Sequence, residues 1–94
     1  GKLVEALVAS RFVDVREDNE WAAGHIPGAT HNPLSRLDLS ALPRDKRVVF
    51  YCRSGRRTLQ ALEKAQTGGR PDVKAHFGGS WLAWTAAGEP VKTP

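Results

Sequence analysis

The one cysteine of the chain, Cys52, opens the run Cys52-Arg53-Ser54-Gly55-Arg56-Arg57-Thr58. A cysteine thiolate is a strong nucleophile, and its surroundings decide whether it forms. Here Arg53, Arg56 and Arg57 supply fixed positive charge, which favours thiolate over thiol. Gly55 admits a left-handed backbone, so the loop can curl its N–H groups inward. A helix starting after the loop adds free N–H groups and a partial positive charge. The pattern reads as an anion cradle with a sulfur nucleophile at its base. A lone cysteine is more often a buried apolar filler. The arginines argue against that reading, because at a helix N-terminus they oppose the macrodipole and a bound anion offsets them.

The elements around the loop must hold it. Leu3, Val4, Leu7 and Val8 recur at helical spacing, so the chain starts as a short amphipathic helix. Arg11–Val15 reads as a buried strand. Asp18–Ala23 suits a short helix capped by Asp18 or Asn19. Gly24, Pro27 and Gly28 break it, and Ala29–Asn32 suits a short strand. Leu37, Leu39 and Leu42 lie in a connection with no definite period, and residues 43–46 read as a turn. Arg47–Tyr51 is the clearest central strand, and Cys52–Arg57 is the loop after it. Thr58–Gln66 predicts a helix with Leu59, Leu62 and Ala65 on one face, stopped by Gly68, Gly69 and Pro71. Val73–Phe77 predicts a last strand, and Ser80 a cap for a helix running to Ala87. Strands alternating with helices imply an α/β fold: a mostly parallel central sheet flanked by helices on both faces. In such sheets ligands bind at the carboxyl ends of strands, where Cys52 sits.

The gross numbers set bounds. At 94 residues the expectation is one domain spanning 1–94. A chain this size buries somewhat over ~60% of its unfolded surface, enough for a core without metal. One cysteine excludes an intrachain disulfide. The net charge of +4 comes from basic residues spread among acidic ones, so no basic stripe suggests nucleic acid. No apolar run approaches the ~20 residues of a membrane span, and no signal peptide is visible. The expected location is cytoplasmic. The absence of Met and the start at Gly1 point to a processed or excised chain, so a membrane tether outside it stays open. His25, His31 and His76 are too scattered for a metal site, and neither metal nor cofactor is expected. Asp14 is read as accepting hydrogen bonds from backbone or Arg16. Trp21, Trp81 and Trp84 are read as packing the core or rimming a pocket.

The Cys52 loop resembles the six-residue active-site loop of the rhodanese family. Asp14-Val15-Arg16-Glu17, with Trp21 soon after, resembles the family's first strand and its exit. Gly24-His25-Ile26-Pro27-Gly28-Ala29 resembles its second characteristic loop. Gly78-Gly79-Ser80-Trp81-Leu82-Ala83-Trp84, followed by Gly88-Glu89-Pro90-Val91, resembles its C-terminal end. Together these reach from Phe12 to Val91. Before Phe12 the chain is short, which leaves the family's usual opening strand lost or replaced. Gln66–Asp72 is richer in Gly than the family pattern suggests.

The resemblance implies a thiosulfate sulfurtransferase. Cys52 attacks the outer sulfur of thiosulfate or a similar donor, keeps it as a persulfide, and passes it to a thiophilic acceptor. Backbone N–H groups of residues 53–57 would hold the persulfide. Arg53, Ser54, Gly55, Arg56, Arg57 and Thr58 would form the substrate site. Arg16 matches an arginine the family places beside the loop. The implied partner is a small anionic sulfur donor, with a protein acceptor left open. Two rivals remain in view. Cysteine phosphatases and arsenate reductases also use a Cys-to-Arg loop, but with five residues between the two. That would put the arginine at position 58, which is Thr58, whereas Arg57 comes one residue early. The other rival is a persulfide carrier or interaction module serving a protein partner.

Overall fold

The computed structural model describes residues 2–94. The elements run α1 (Lys2–Ala9), β1 (Ser10–Asp14), α2 (Asp18–Ala23), β2 (Thr30–His31), β3 (Arg47–Tyr51), α3 (Arg56–Thr67), β4 (Ala75–His76) and α4 (Ser80–Ala86). Two 3-10 turns, Leu34–Arg36 and Leu39–Ala41, fill the connection between β2 and β3. The four strands form one sheet in the order β2-β1-β3-β4, and every pairing is parallel. The chain opens on a helix, and β1 is the first strand.

Parallel strands buried on both sides read as continuous apolar runs rather than alternating ones. Val48, Val49, Phe50 and Tyr51 of β3 are all buried. Their side chains divide between two cores. Val13, Val15, Val48, Phe50 and Cys52 pack with Ala61 and Ala65 of α3. Phe12, Val49 and Tyr51 pack with Ile26 and with Trp84 of α4, and Leu3, Ala6 and Leu7 of α1 cover them. Helices therefore lie on both faces, as the alternation predicts.

The strand order gives the site its place. From β1 the chain moves outward to β2, while β3 is followed outward by β4. The order reverses between β1 and β3, and such a reversal opens a crevice at the strands' carboxyl ends. Residues leaving β1, including Arg16, and residues leaving β3, beginning with Cys52, flank that crevice.

Several local expectations need correcting. α2 is capped by Glu17, not by Asp18 or Asn19, and the Glu17 N–H donates to the Glu20 carboxylate at 3.1 Å. α3 begins at Arg56, two residues before Thr58, and its buried face is Thr58, Ala61 and Ala65. Leu59 is 58% exposed. Of the expected face, Ala65 is buried and Leu62 packs against the core, whereas Leu59 turns outward and Thr58 takes the inward position next to the loop. β4 is shorter than Val73–Phe77. Ser80 opens α4, and Gly79 holds the cap position.

Candidate active site

Cys52 is the first residue beyond β3 and is 1% exposed. Its sulfur is held by backbone. The Gly55 N–H donates to Sγ at 3.1 Å. Gly55 has φ 96° and occupies the cap position of α3, so the turn into the helix needs a left-handed residue. It also needs an absent side chain, since a Cβ there would meet the Gly78 carbonyl oxygen at 2.3 Å.

α4 closes the loop from its outer side. The Trp81 N–H donates to the Cys52 carbonyl at 2.9 Å, and the Leu82 N–H to the Arg53 carbonyl at 3.1 Å. Free N–H groups at a helix start thus find loop carbonyls as partners. The Ser80 hydroxyl accepts the Cys52 N–H at 3.1 Å and donates to the Phe77 carbonyl at 2.7 Å. It lies 3.9 Å from Sγ. Ser80 has φ 52°, the one positive φ outside glycine among the described residues. A serine held there is strained, and such strain gathers at functional sites.

Burial pushes the Cys52 thiol up. The N–H groups of Thr58 and Gly55, the Ser80 hydroxyl and the Arg57 N–H outweigh it, so the thiol lies below its ordinary range. The thiolate is favoured mainly by oriented backbone groups. The sequence points to three sources, the helix N-terminus, the inward-facing N–H groups and the arginines; the first two, with the Ser80 hydroxyl, carry the shift.

The other predicted residues divide sharply. Arg53 and Arg56 are exposed, and neither forms an ion pair among the described residues. Ser54 is exposed at the tip of the loop. Arg57 is half-buried, and its Nη1 and Nη2 meet Glu20 Oε1 and Oε2 at 2.6 and 2.8 Å. Glu20 carried no role in the sequence reading, and no spacing signal links α2 to α3. Thr58 is buried. Its hydroxyl donates to the Gly55 carbonyl at 2.7 Å and meets His76 Nδ1 at 2.8 Å. With its proton committed to Gly55, it accepts from a Nδ1–H tautomer of His76.

Arg16 lies beside the loop but beneath the surface, 3% exposed. Its Nε and Nη2 clamp the Asp14 carboxylate at 3.0 and 2.7 Å, and Nη2 also donates to the Gly24 carbonyl. Its guanidinium stacks 4.5 Å from the Trp81 ring centre. Arg16 thus fastens the exit of β1 to the Gly24 turn and to α4. Trp84 is buried and donates to the Pro90 carbonyl at 2.6 Å. Trp21 stacks against His25, with ring centres 3.5 Å apart. His25 Nδ1 lies 3.0 Å from the Trp21 carbonyl, consistent with a structural part in its turn. Among the described residues no group of side chains could hold a metal ion, and no helix is long and apolar enough to cross a membrane.

A parallel α/β sheet with a cradled cysteine at its reversal point defines a class, and comparison with known proteins names it. Residues 2–87 match the model of the rhodanese-like domain, and the chain belongs to that family. A Synechocystis protein of uncharacterised function is 44% identical over 85 residues, which cover 87% of this chain and 47% of that one. A sulfurtransferase of Allochromatium vinosum is 37% identical over 85 residues, covering 88% of this chain and 78% of that one. A rhodanese-related protein of Thermoplasma volcanium has a similar structure, with TM-score 0.84, 30% identity, and coverage of 98% and 92%. A Rhodopseudomonas palustris protein, titled a possible tyrosine phosphatase, is also similar, with TM-score 0.79, 31% identity, and coverage of 96% and 76%. The chain spans 47% of the Synechocystis relative and 21% of a Mycobacterium tuberculosis one.

Proposed function

We propose that this chain is a sulfurtransferase working through a Cys52 persulfide. The Cys52 thiolate attacks the outer sulfur of thiosulfate or a similar donor. An S–S bond forms to Sγ, the donor's own S–S bond breaks, and sulfite leaves with the electron pair. The persulfide keeps one negative charge, so charge balances. A thiophilic acceptor such as cyanide or a cellular thiol then takes the terminal sulfur, and the thiolate returns. This is two-step nucleophilic catalysis.

The observation that carries the reading is the Gly55 N–H on the Cys52 sulfur at 3.1 Å, with the α3 N-terminus immediately behind it. That arrangement stabilises an anion on sulfur both before and after transfer. The relatives named as sulfurtransferases support it.

The phosphatase reading draws support from the Rhodopseudomonas palustris neighbour. Two observations weigh against it. The helix takes over at Arg56, which leaves a short loop for a tetrahedral phosphate. Arg57, the nearest counterpart of a phosphate-binding arginine, has its outer edge on Glu20.

The test is direct. Thiosulfate should make the protein heavier by one sulfur atom in intact mass spectrometry, and cyanide should remove it and yield thiocyanate. Cys52→Ser should abolish both events. Wild-type thiocyanate production by the serine variant, or a robust Cys52-dependent aryl phosphatase rate, would overturn the reading.

A further inference from the structure

We propose that Glu20 is a positioning residue that withholds Arg57 from the donor and thereby sets the preference between singly and doubly charged sulfur donors. The inference rests on the sulfur-transfer reading above.

The geometry is a latch across the crevice. Glu20 comes from α2, on the β1 side, and Arg57 from the first turn of α3, on the β3 side. Arg57 Nη1 donates to Glu20 Oε1 at 2.6 Å and Nη2 to Oε2 at 2.8 Å. A fork-to-fork pair of this kind fixes orientation and occupies the donors a substrate would use. Glu20 is itself anchored, since Oε1 accepts the Glu17 N–H. The bond to Arg57 leads the causes that hold the Glu20 carboxyl down to about 2, against its partial burial, with the Glu17 N–H adding to them. The carboxylate is therefore ionised at any working pH, and ordinary acidity does not open the latch.

The consequence is electrostatic. Among the described residues the loop's Arg53 and Arg56 have no ion-pair partner, while the charge of Arg57 is offset. The pairing leaves a donor one fewer available cation. Coulomb energy scales with the product of charges, so a dianion loses twice what a monoanion loses. In affinities, the factor for the dianion is the square of the factor for the monoanion. Thiosulfate is a dianion. Methanethiosulfonate offers the same outer sulfur with one oxygen replaced by methyl, and it is a monoanion.

Glu20→Gln keeps the size of the side chain but removes its charge and one of the two oxygens that accept from Arg57, so the fork opens. It should lower KM for thiosulfate about tenfold and KM for methanethiosulfonate about threefold, with kcat for both nearly unchanged. Arg57→Gln should abolish the gain when combined with Glu20→Gln. A gain that persists without Arg57 would show that Glu20 acts through space on its own and would overturn the positioning role. Equal changes for the two donors, or no change, would overturn the preference.

A second arm needs no sulfur transfer. Sulfate and methanesulfonate are the unreactive counterparts, and each should protect Cys52 from the neutral alkylator iodoacetamide. Glu20→Gln should strengthen protection by sulfate about tenfold and by methanesulfonate about threefold. If neither donor persulfurates Cys52, the sulfur-transfer reading fails while this arm still decides the latch. Unchanged sulfate protection would refute it.

Discussion

The loop after β3 carries two regions built on opposite principles. At its base, Cys52 and Gly55 are fixed by main-chain groups, by the strained Ser80 and by the start of α4. At its rim, Arg53 and Arg56 stand in solvent with no ion-pair partner among the described residues. The base has hardly any freedom of composition. Gly55 faces a carbonyl oxygen where a side chain would go, and Ser80 tolerates a conformation few residues adopt. The rim is free to vary, because exposed charges act over distance and at little structural cost. Backbone sets where the sulfur sits and how readily it ionises. Side chains set what is drawn to it. Arg57 belongs to neither region: it is a rim residue by type, but Glu20 has tied it into the frame.

The contrast breaks most completely at Gly55. Gly55→Ala places a methyl carbon 2.3 Å from the Gly78 carbonyl oxygen. It also forces a non-glycine residue to φ 96°, at a cost of roughly 1–2 kcal/mol before the clash is counted. The turn must open, and the N–H bond to Cys52 Sγ goes with it. Sulfur transfer should fall at least about a hundredfold, since an oriented donor at a developing charge contributes on that scale. Far-ultraviolet circular dichroism should show the sheet and helices retained. Near-normal turnover in the alanine variant would mean that the cradle does not depend on this conformation.

Ser80 should have the next largest effect. Ser80→Ala removes the acceptor of the buried Cys52 N–H and one of the groups that lower the thiol. Because those groups favour the thiolate, the pH midpoint for alkylation of Cys52 should move upward. Turnover near neutral pH should drop about tenfold, the scale of one lost buried hydrogen bond. Ser80→Gly separates strain from bonding. Glycine relieves the positive φ, so it should be at least as stable as alanine, yet it should share alanine's raised midpoint. Opposite midpoints for the two variants would show that strain, and not the hydroxyl, tunes the sulfur.

Much of this frame was legible in the sequence. The alternation of apolar strands and amphipathic helices gave the fold, and the placement of Cys52 after Arg47–Tyr51 gave the site. These features are local or periodic. The features without a sequence signal depend on contacts between distant segments. The bidentate pair of Glu20 and Arg57 joins residues on separate helices, and nothing in either neighbourhood announces the other. Ser80 looked like a helix cap because serine usually is one, whereas its hydroxyl turns to Cys52 and Phe77. His76 gave no sign of its bond to Thr58. The connection around Leu37, Leu39 and Leu42 had no readable period for a similar reason. It is organised by buried Arg70, which donates to the carbonyls of Leu39, Leu42 and Pro43 from across the fold.

The rim should yield the smallest change. Arg53→Ala and Arg56→Ala each remove an exposed side chain that pairs with no carboxylate among the described residues. Thermal stability should stay within about 0.5 kcal/mol of the parent, as surface changes usually do. An anionic donor should bind less well, with KM for thiosulfate raised about threefold by each change. Such a charge acts through water, where a unit pair at 4 Å is worth ~1 kcal/mol. The effect should shrink as salt is added, because the screening length falls from ~10 Å at 0.1 M to ~3 Å at 1 M. The alkylation midpoint of Cys52 should hardly move in either variant, since backbone and Ser80 dominate it. That pairing of outcomes is the sharpest check on the division between base and rim. A midpoint raised as far by Arg53→Ala as by Ser80→Ala would dissolve the distinction, and the arginines would have to be counted among the groups that make the thiolate.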